Sequence, residues 1–259
     1  MIRESATGTG LVDAAQRCAD RGAAKPVRVA LLADLVALPD ESFCRDVADR
    51  FDRLPRMSYD HALAWRYDRL KRETRAQYHA VREAGIEVEP WLGQGQPYRD
   101  SAELIRHVRR TGTIQVFLTR EGHGPIDGAG FHPMREPSGV TARDVELTHN
   151  DLFRVVHDVF GHVMFGHSFG PAGEFKAAYC QMALLSDTAR PVVFTEQVAQ
   201  TCWFFYGPHL RDRAGRLRRP GEPGYVPPHR RPFPEQKVFA PERSDLDAFE
   251  SMFELEAAA

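Results

Sequence analysis

The residues best equipped for chemistry lie in one stretch, NDLFRVVHDVFGHVMFGHS at positions 150–168, where His157, Asp158, His162 and His167 offer three imidazoles and a carboxylate. Glu174, Glu196 and Gln200 follow further along the chain. Two neutral imidazoles and one carboxylate on a ferrous ion leave three coordination positions open on one side, enough for dioxygen together with a substrate or reductant. That is an oxygenase layout. Structural zinc would fill its own shell, usually with cysteine thiolates, whereas hydrolytic zinc would keep one water beside a base.

These side chains need a scaffold, and the apolar spacing supplies one. Leu152, Val156, Val159, Phe160 and Val163 recur at helical intervals, with Asn150 as the expected cap and Gly166 as the expected stop. On an α-helix, residues five apart such as His157 and His162 stand about 140° from each other, so the two rings do not share a face. They can converge only on an ion outside the helix, past Gly161, which has no side chain to obstruct it. Asp158 and His162, four apart, share a face directly.

The carboxylates sit near predicted helix starts. Pro171 and Glu174 open a helix reaching about position 185. Glu174 is therefore read either as a partner of the positive helix end or as a metal ligand. A further helix is expected from Thr195, with Glu196, Gln200, Trp203 and Gly207 along one face and a stop at Gly207 and Pro208. Glu196 follows the apolar run PVVF, and a carboxylate pressed against buried surface calls for a cation. The expected metal set is thus His157, His162 and Glu196. Asp158 is assigned to orient an imidazole, while His167, Glu174 and Gln200 stand as candidates for further ligation, with a dinuclear site open if both glutamates bind.

The string HDVFGHV, carrying His157, Asp158, Gly161, His162 and Val163, resembles the iron-binding helix of the tetrahydropterin-dependent aromatic amino acid hydroxylases. In that family a His-x-x-x-x-His pair and a later Glu hold non-haem iron. The resemblance implies Fe(2+), dioxygen as co-substrate, a tetrahydropterin reductant, and oxidation of a small molecule such as an amino acid or a derivative. No pterin-binding signature is legible apart from it. The family's ligand Glu lies four residues after a Trp, where this chain has Gly207 after Trp203, so Glu196 is a substitute and not a match. A longer stretch is similar to a little-characterised bacterial and phage family, through YRDSAEL at 98–104, NDLFRVVHDVFGH, FGPAGE at 169–174 and FTEQVAQTCWFFYGP at 194–208. The leading expectation is a non-haem iron monooxygenase. A zinc-dependent hydrolase and a non-catalytic metal- or ligand-binding module are the alternatives.

The rest of the chain sets the frame. Its 259 residues, 42% hydrophobic and 27% charged, can bury one sizeable core, so a single domain is expected. A net charge of −2 gives no global attraction to nucleic acid or anionic membrane, which leaves a small molecule as the expected partner. Cys18, Cys44, Cys180 and Cys202 form neither a close zinc pair nor a disulfide framework, consistent with a reducing cytoplasm. Neither the apolar run at 27–38, which contains Asp34, nor the first ten residues reads as a membrane span or secretory segment.

The expected fold is mainly α (α+β), a helical domain with a small two-stranded sheet and the metal held among three consecutive helices. Residues 1–25 read as a loosely held arm or short helix. Residues 40–95 form a helical front segment with Phe43, Val47 and Phe51 on one face, then Leu63, Tyr67, Leu70, Thr74 and Tyr78 on a longer helix that starts at Ser58 and stops at Gly85. Residues 96–208 form the metal-binding core. Strands are expected at 86–90, ended by Pro90, and at 113–119, with a helix between them capped by Ser101. Positions 120–140, with His123, Asp127, His132 and Glu136, read as a long ordered loop in which His132 is solvated or turned toward the metal helix. The arginine-rich 209–240 segment reads as solvated, able to clamp an anion. The last helix, within 241–259, offers Leu246, Phe249, Met252 and Phe253 to the body or to a second copy in a homodimer.

Overall fold

The computed structural model of the chain describes residues 8–123 and 130–255. The architecture is mainly helical with small two-stranded sheets. In order, helix α1 (Gly8–Gly22) is followed by β1 (Leu35–Ala37), α2 (Glu41–Arg53), α3 (His61–Glu83), β2 (Glu87–Trp91), α4 (Ser101–Thr111), β3 (Thr113–Phe117) and α5 (Thr119–His123). Then come β4 (Pro137–Ala142), β5 (Val145–Thr148), α6 (His149–Val156), α7 (Pro171–Ala183), α8 (Arg190–Val193), α9 (Gln200–Tyr206), α10 (Arg243–Glu250) and β6 (Phe253–Leu255). No helix among the described residues is long and apolar enough to cross a membrane.

Three sheets appear where one was expected. Strands β2 and β3 pair in parallel around α4, as the sequence predicts, and Pro90 lies inside β2 opposite Val116. A two-stranded pair exposes an edge on each strand, so a residue without an N–H is tolerated there. Strands β4 and β5 form an antiparallel hairpin turned at Arg143 and Asp144, both at positive φ, inside and just beyond the stretch read as a loop. The third pair joins β1 to β6 and so ties the chain's two ends together. The last segment is therefore a short helix followed by a strand. Its Phe249 and Met252 are buried in the body. Asp127 and the side chain of His123 lie outside the described residues.

The helix starts follow local chemistry more closely than the sequence reading did. Asp40, Asp60 and Asp100 cap α2, α3 and α4, each accepting backbone N–H groups, so neither Ser58 nor Ser101 is a cap. Carboxylates at these ends also meet the positive pole of the helix. The expected apolar stripe on α3 is buried at Leu63, Tyr67, Leu70, Thr74 and Tyr78. The supposed N-terminal arm is a packed helix, with Leu11, Ala14 and Ala15 fully enclosed against a core that includes Tyr78 and Val81 of α3.

Residues 207–242 have little regular structure, yet they are pinned. Lys237 is buried and donates to the carbonyls of Phe51, Asp52 and Leu54 at 2.7, 3.0 and 2.8 Å, satisfying the open end of α2. Arg211 bonds Asp49 at 2.9 Å, and Arg231 lies against the rings of Phe204 and Phe205. These arginines are held by the chain itself, which corrects their reading as solvated.

The start of the central helix is fixed by one carboxylate. Thr148 caps α6 in a reciprocal box with Asp151, which displaces Asn150 from the capping role. Asp151 is 2% exposed and accepts from the amides and hydroxyls of both Thr119 and Thr148 at 2.7–2.8 Å. It thereby locks the start of α5 to the start of α6, while Asn150 donates to the Thr119 hydroxyl at 3.0 Å. Replacing Asp151 with Ala strands these donors, and we expect a loss of about 3 kcal/mol in the free energy of unfolding, measured by urea titration.

Candidate metal centre

Helix α6 does not continue as an α-helix through the histidines. Residues His157–Val163 are wound as a π-helix, and the bonds from Met164 N to Val159 O (2.9 Å) and from His167 N to His162 O (3.2 Å) span five residues. In this wider winding, residues five apart lie much nearer one face than the 140° separation of an α-helix allows. The Nε2 atoms of His157 and His162 accordingly stand 3.0 Å apart, with the rings edge-to-face at a centroid separation of 4.7 Å. The α-helical estimate of their divergence is thereby corrected. Gly166, at φ +80°, ends the turn as expected.

Gly161 acts differently from the expectation. A Cβ there would come within 2.7 Å of the Ala177 Cβ and 3.4 Å of His157 Nδ1. Its missing side chain lets the π turn press against α7, and α7 carries Glu174 three residues before Ala177. Glu174 Oε2 consequently reaches to 3.3 Å from His157 Nε2 and 3.6 Å from His162 Nε2. Three donor atoms from two elements converge on one point.

Their separations fit a shared ion. Ligands about 2.1 Å from a first-row metal stand about 3.0 Å apart at a right angle and about 3.4 Å apart at the tetrahedral angle. The ring tautomers fit as well. His162 Nδ1 lies 3.0 Å from the carbonyl oxygen of His167, an acceptor only, so Nδ1 carries the proton and Nε2 offers its lone pair. His157 Nδ1 lies 2.5 Å from the side-chain amide of Gln197, whose oxygen is otherwise buried without a partner. A half-turn of that amide sets its oxygen on Nδ1–H and frees Nε2 in the same way. Asp158 is half-buried, and one of its oxygens lies within 4.8 Å of the ligand atoms of both rings. His157, Asp158 and His162 thus form a group that can hold a metal ion. The orienting task expected of Asp158 falls instead to the His167 carbonyl and Gln197.

The two expected glutamates part ways. Glu174 joins the histidine pair, whereas Glu196, expected as the third ligand, sits in a separate buried cluster where Oε1 accepts from the Tyr67 hydroxyl and stands 3.3 Å from His132 Nε2. His132 Nδ1 accepts the amide of Met134 at 3.2 Å, which leaves the ring proton on Nε2, close to Glu196 but without hydrogen-bond geometry to it. His132 is neither solvated nor turned to the pair. The helix bearing Glu196 starts at Arg190, not Thr195, and is wound as a second π turn over Phe194–Ala199 before α9, and it is Gln197 from this turn that meets His157. Gln200, half-buried, makes no hydrogen bond to the cluster among the described residues. His167 contributes its carbonyl, and its ring Nε2 faces Cys180 Sγ at 3.9 Å. Gln197 escapes the sequence reading because nothing in its spacing reports a π turn, and Tyr67 reads from the sequence only as part of the apolar stripe of α3.

The charges interlock. Burial, the largest single effect on Glu174, raises its carboxyl affinity for protons, but the two imidazoles together outweigh it and hold the group well below the usual 4.5. Burial likewise acts to lower His162, and the carboxylates of Glu174 and Asp158 overcome it to raise the ring above 6.5. Burial pushes Asp158 up, against the opposing pull of both histidines. His167 is lowered to about 4, by burial and then by Lys176.

In comparison with known proteins, no family model, no curated protein and no solved structure matches this chain.

Two outcomes follow from this geometry. Gly161→Ala should drive the π turn from α7 and cost about 1–3 kcal/mol of stability, with metal affinity falling roughly tenfold or more, read by calorimetry on the purified variant. The depressed Glu174 stabilises the metal-free fold above pH 4.5, and that contribution is lost as pH falls further. The elevated His162 stabilises it fully below pH 6.5, and this is lost as pH rises through the raised value. Metal-free protein should therefore show its highest melting temperature between these limits, and added divalent metal should shift the maximum to higher pH by replacing the proton shared by the rings.

Proposed function

We propose that this chain is a non-haem iron(II)-dependent oxygenase acting on a small organic substrate, with His157, His162 and Glu174 as the metal ligands. The observation that carries the reading is the convergence of two Nε2 lone pairs and one carboxylate oxygen within 3.0–3.6 Å of one another. Such a set occupies one face of an octahedral ion. The resemblance of HDVFGHV to the aromatic amino acid hydroxylases supports the same chemistry, with the carboxylate supplied by Glu174 in place of the expected Glu196.

Iron(II) held there would activate dioxygen for transfer to the substrate. The chain's own part is to prepare that site. Gln197 and the His167 carbonyl fix the ring planes, so neither imidazole must reorient when the ion arrives. Phe169 packs edge-on against the His162 ring at 4.8 Å and shields that side from water. His162 is fully buried, while the Glu174 side chain keeps 19% of its surface exposed, which leaves the approach to the centre on the Glu174 side. Asp158, with its carboxyl pushed up by burial, holds a proton beside both rings at higher pH than an ordinary aspartate. A tetrahydropterin reductant rests on the resemblance alone.

Anaerobic titration with Fe(II) of protein purified without a chelating tag tests the proposal. One ion should bind per chain, and nitric oxide, as a surrogate for dioxygen, should produce the high-spin iron–nitrosyl resonance expected of a site with open positions. Glu174→Ala should weaken iron binding roughly tenfold or more, whereas Glu196→Ala should retain iron and lose about 1–3 kcal/mol of stability by stranding the Tyr67 hydroxyl. Full iron retention in Glu174→Ala with loss in Glu196→Ala would reverse the ligand assignment. Selective retention of zinc, with no nitrosyl signal from iron-loaded protein, would replace the oxygenase by a hydrolase.

A further inference from the structure

A second site lies away from the histidines, where the 3-10 turn Val29–Asp34 meets the C-terminal half of α7. A cavity of about 380 Å³ opens there, within the range of small-molecule sites. Its apolar wall includes Leu31, 43% exposed, Leu255, 52% exposed, and the half-buried Tyr179, set over the buried Leu32, Met182 and Leu185. Its polar lining is lopsided, since Lys25, Arg28 and Arg190 face a single carboxylate, Glu250. Glu250 is already engaged by Arg190, and Lys25 reaches it only at 4.0 Å. Arg28 is exposed and no carboxylate lies within ion-pair distance of it among the described residues. The Nε of Arg190 is buried without a hydrogen-bond partner.

An apolar pocket with an excess of cations among its lining groups is complementary to one kind of small ligand. We propose that this cavity binds an amphipathic organic anion, its hydrocarbon portion against Leu31, Tyr179 and Leu255 and its carboxylate at Arg28 and Lys25. Burial of the hydrocarbon supplies most of the attraction, and the guanidinium and ammonium groups choose an anion over a neutral or cationic headgroup of the same length. The proposal does not depend on the metal assignment.

Octanoate is the probe, titrated calorimetrically into the full chain at low ionic strength, with 1-octanol and octyltrimethylammonium as headgroup controls. Saturable one-to-one binding of octanoate is expected, at least tenfold tighter than either control. Lys25 and Arg28 are exposed, so the double substitution K25E/R28E should leave the circular dichroism spectrum unchanged and weaken octanoate at least tenfold. The exposed-wall change L31N, polar but uncharged, should weaken it as well, which separates insertion of the chain from simple surface pairing. Non-saturable binding, equal affinity for octanol, or undiminished octanoate binding in K25E/R28E or in L31N would each overturn the proposal.

Discussion

The structure depends on one change of winding. Between His157 and Val163 the backbone bonds to the fifth residue, not the fourth, and that alone turns two diverging imidazoles into a facing pair 3.0 Å apart. A π turn is less favourable than the α-helix around it, so it persists only where its surroundings compensate. Here they do so on both flanks. Asp151 and Thr148 anchor the preceding turn, and Gly161 allows α7 to close on the following one. The neighbouring segment at Phe194–Ala199 is wound in the same manner and delivers Gln197 to the outer nitrogen of His157.

The position of the carboxylates follows from electrostatics as much as from geometry. Two imidazoles sharing a proton, or an ion in its place, make a positive centre, and Glu174 meets it from the first turn of α7. Glu174 thus stands in the first turn of α7 and beside the histidine pair at once, so both readings of it have a place. Glu196 is satisfied differently. The Tyr67 hydroxyl donates to it and His132 Nε2 lies 3.3 Å away, where its apolar context called for a cation. Hydrophobic neighbours in the sequence report that a carboxylate is buried, but not which kind of partner it has found.

Much of the fold was legible because amphipathic periodicity is written locally. The stripes on α2 and α3, the Pro171 start of α7, the stop at Gly207 and the β2–α4–β3 unit all appear where the spacing places them. Caps were legible only to within a residue or two, since Asp60 and Asp100 compete with Ser58 and Ser101 for the same role and the carboxylate wins. The β4–β5 hairpin was hidden by its glycine and proline content, and the pairing of β1 with β6 joins residues far apart in the chain, so no local pattern reports it. At the candidate site, residue types pointed to His157 and His162 with Glu196 as the third ligand and Glu174 only as a further candidate, because the choice between the two glutamates required knowing the pitch of two helices. Pitch is a tertiary property here, set by Ala177 against Gly161.

A helical segment that bonds to the fifth residue carries one amino acid more than its length in α-helical turns requires. Removal of a single codon within 157–163 would let α6 run on in ordinary α-helical register, with the hydrophobic stripe beyond it facing as it does now. By the same arithmetic, one inserted codon suffices to generate such a bulge in an ancestral helix whose only task was packing. The distance between a structural element and a ligand-gathering one is, at this place in the chain, three nucleotides.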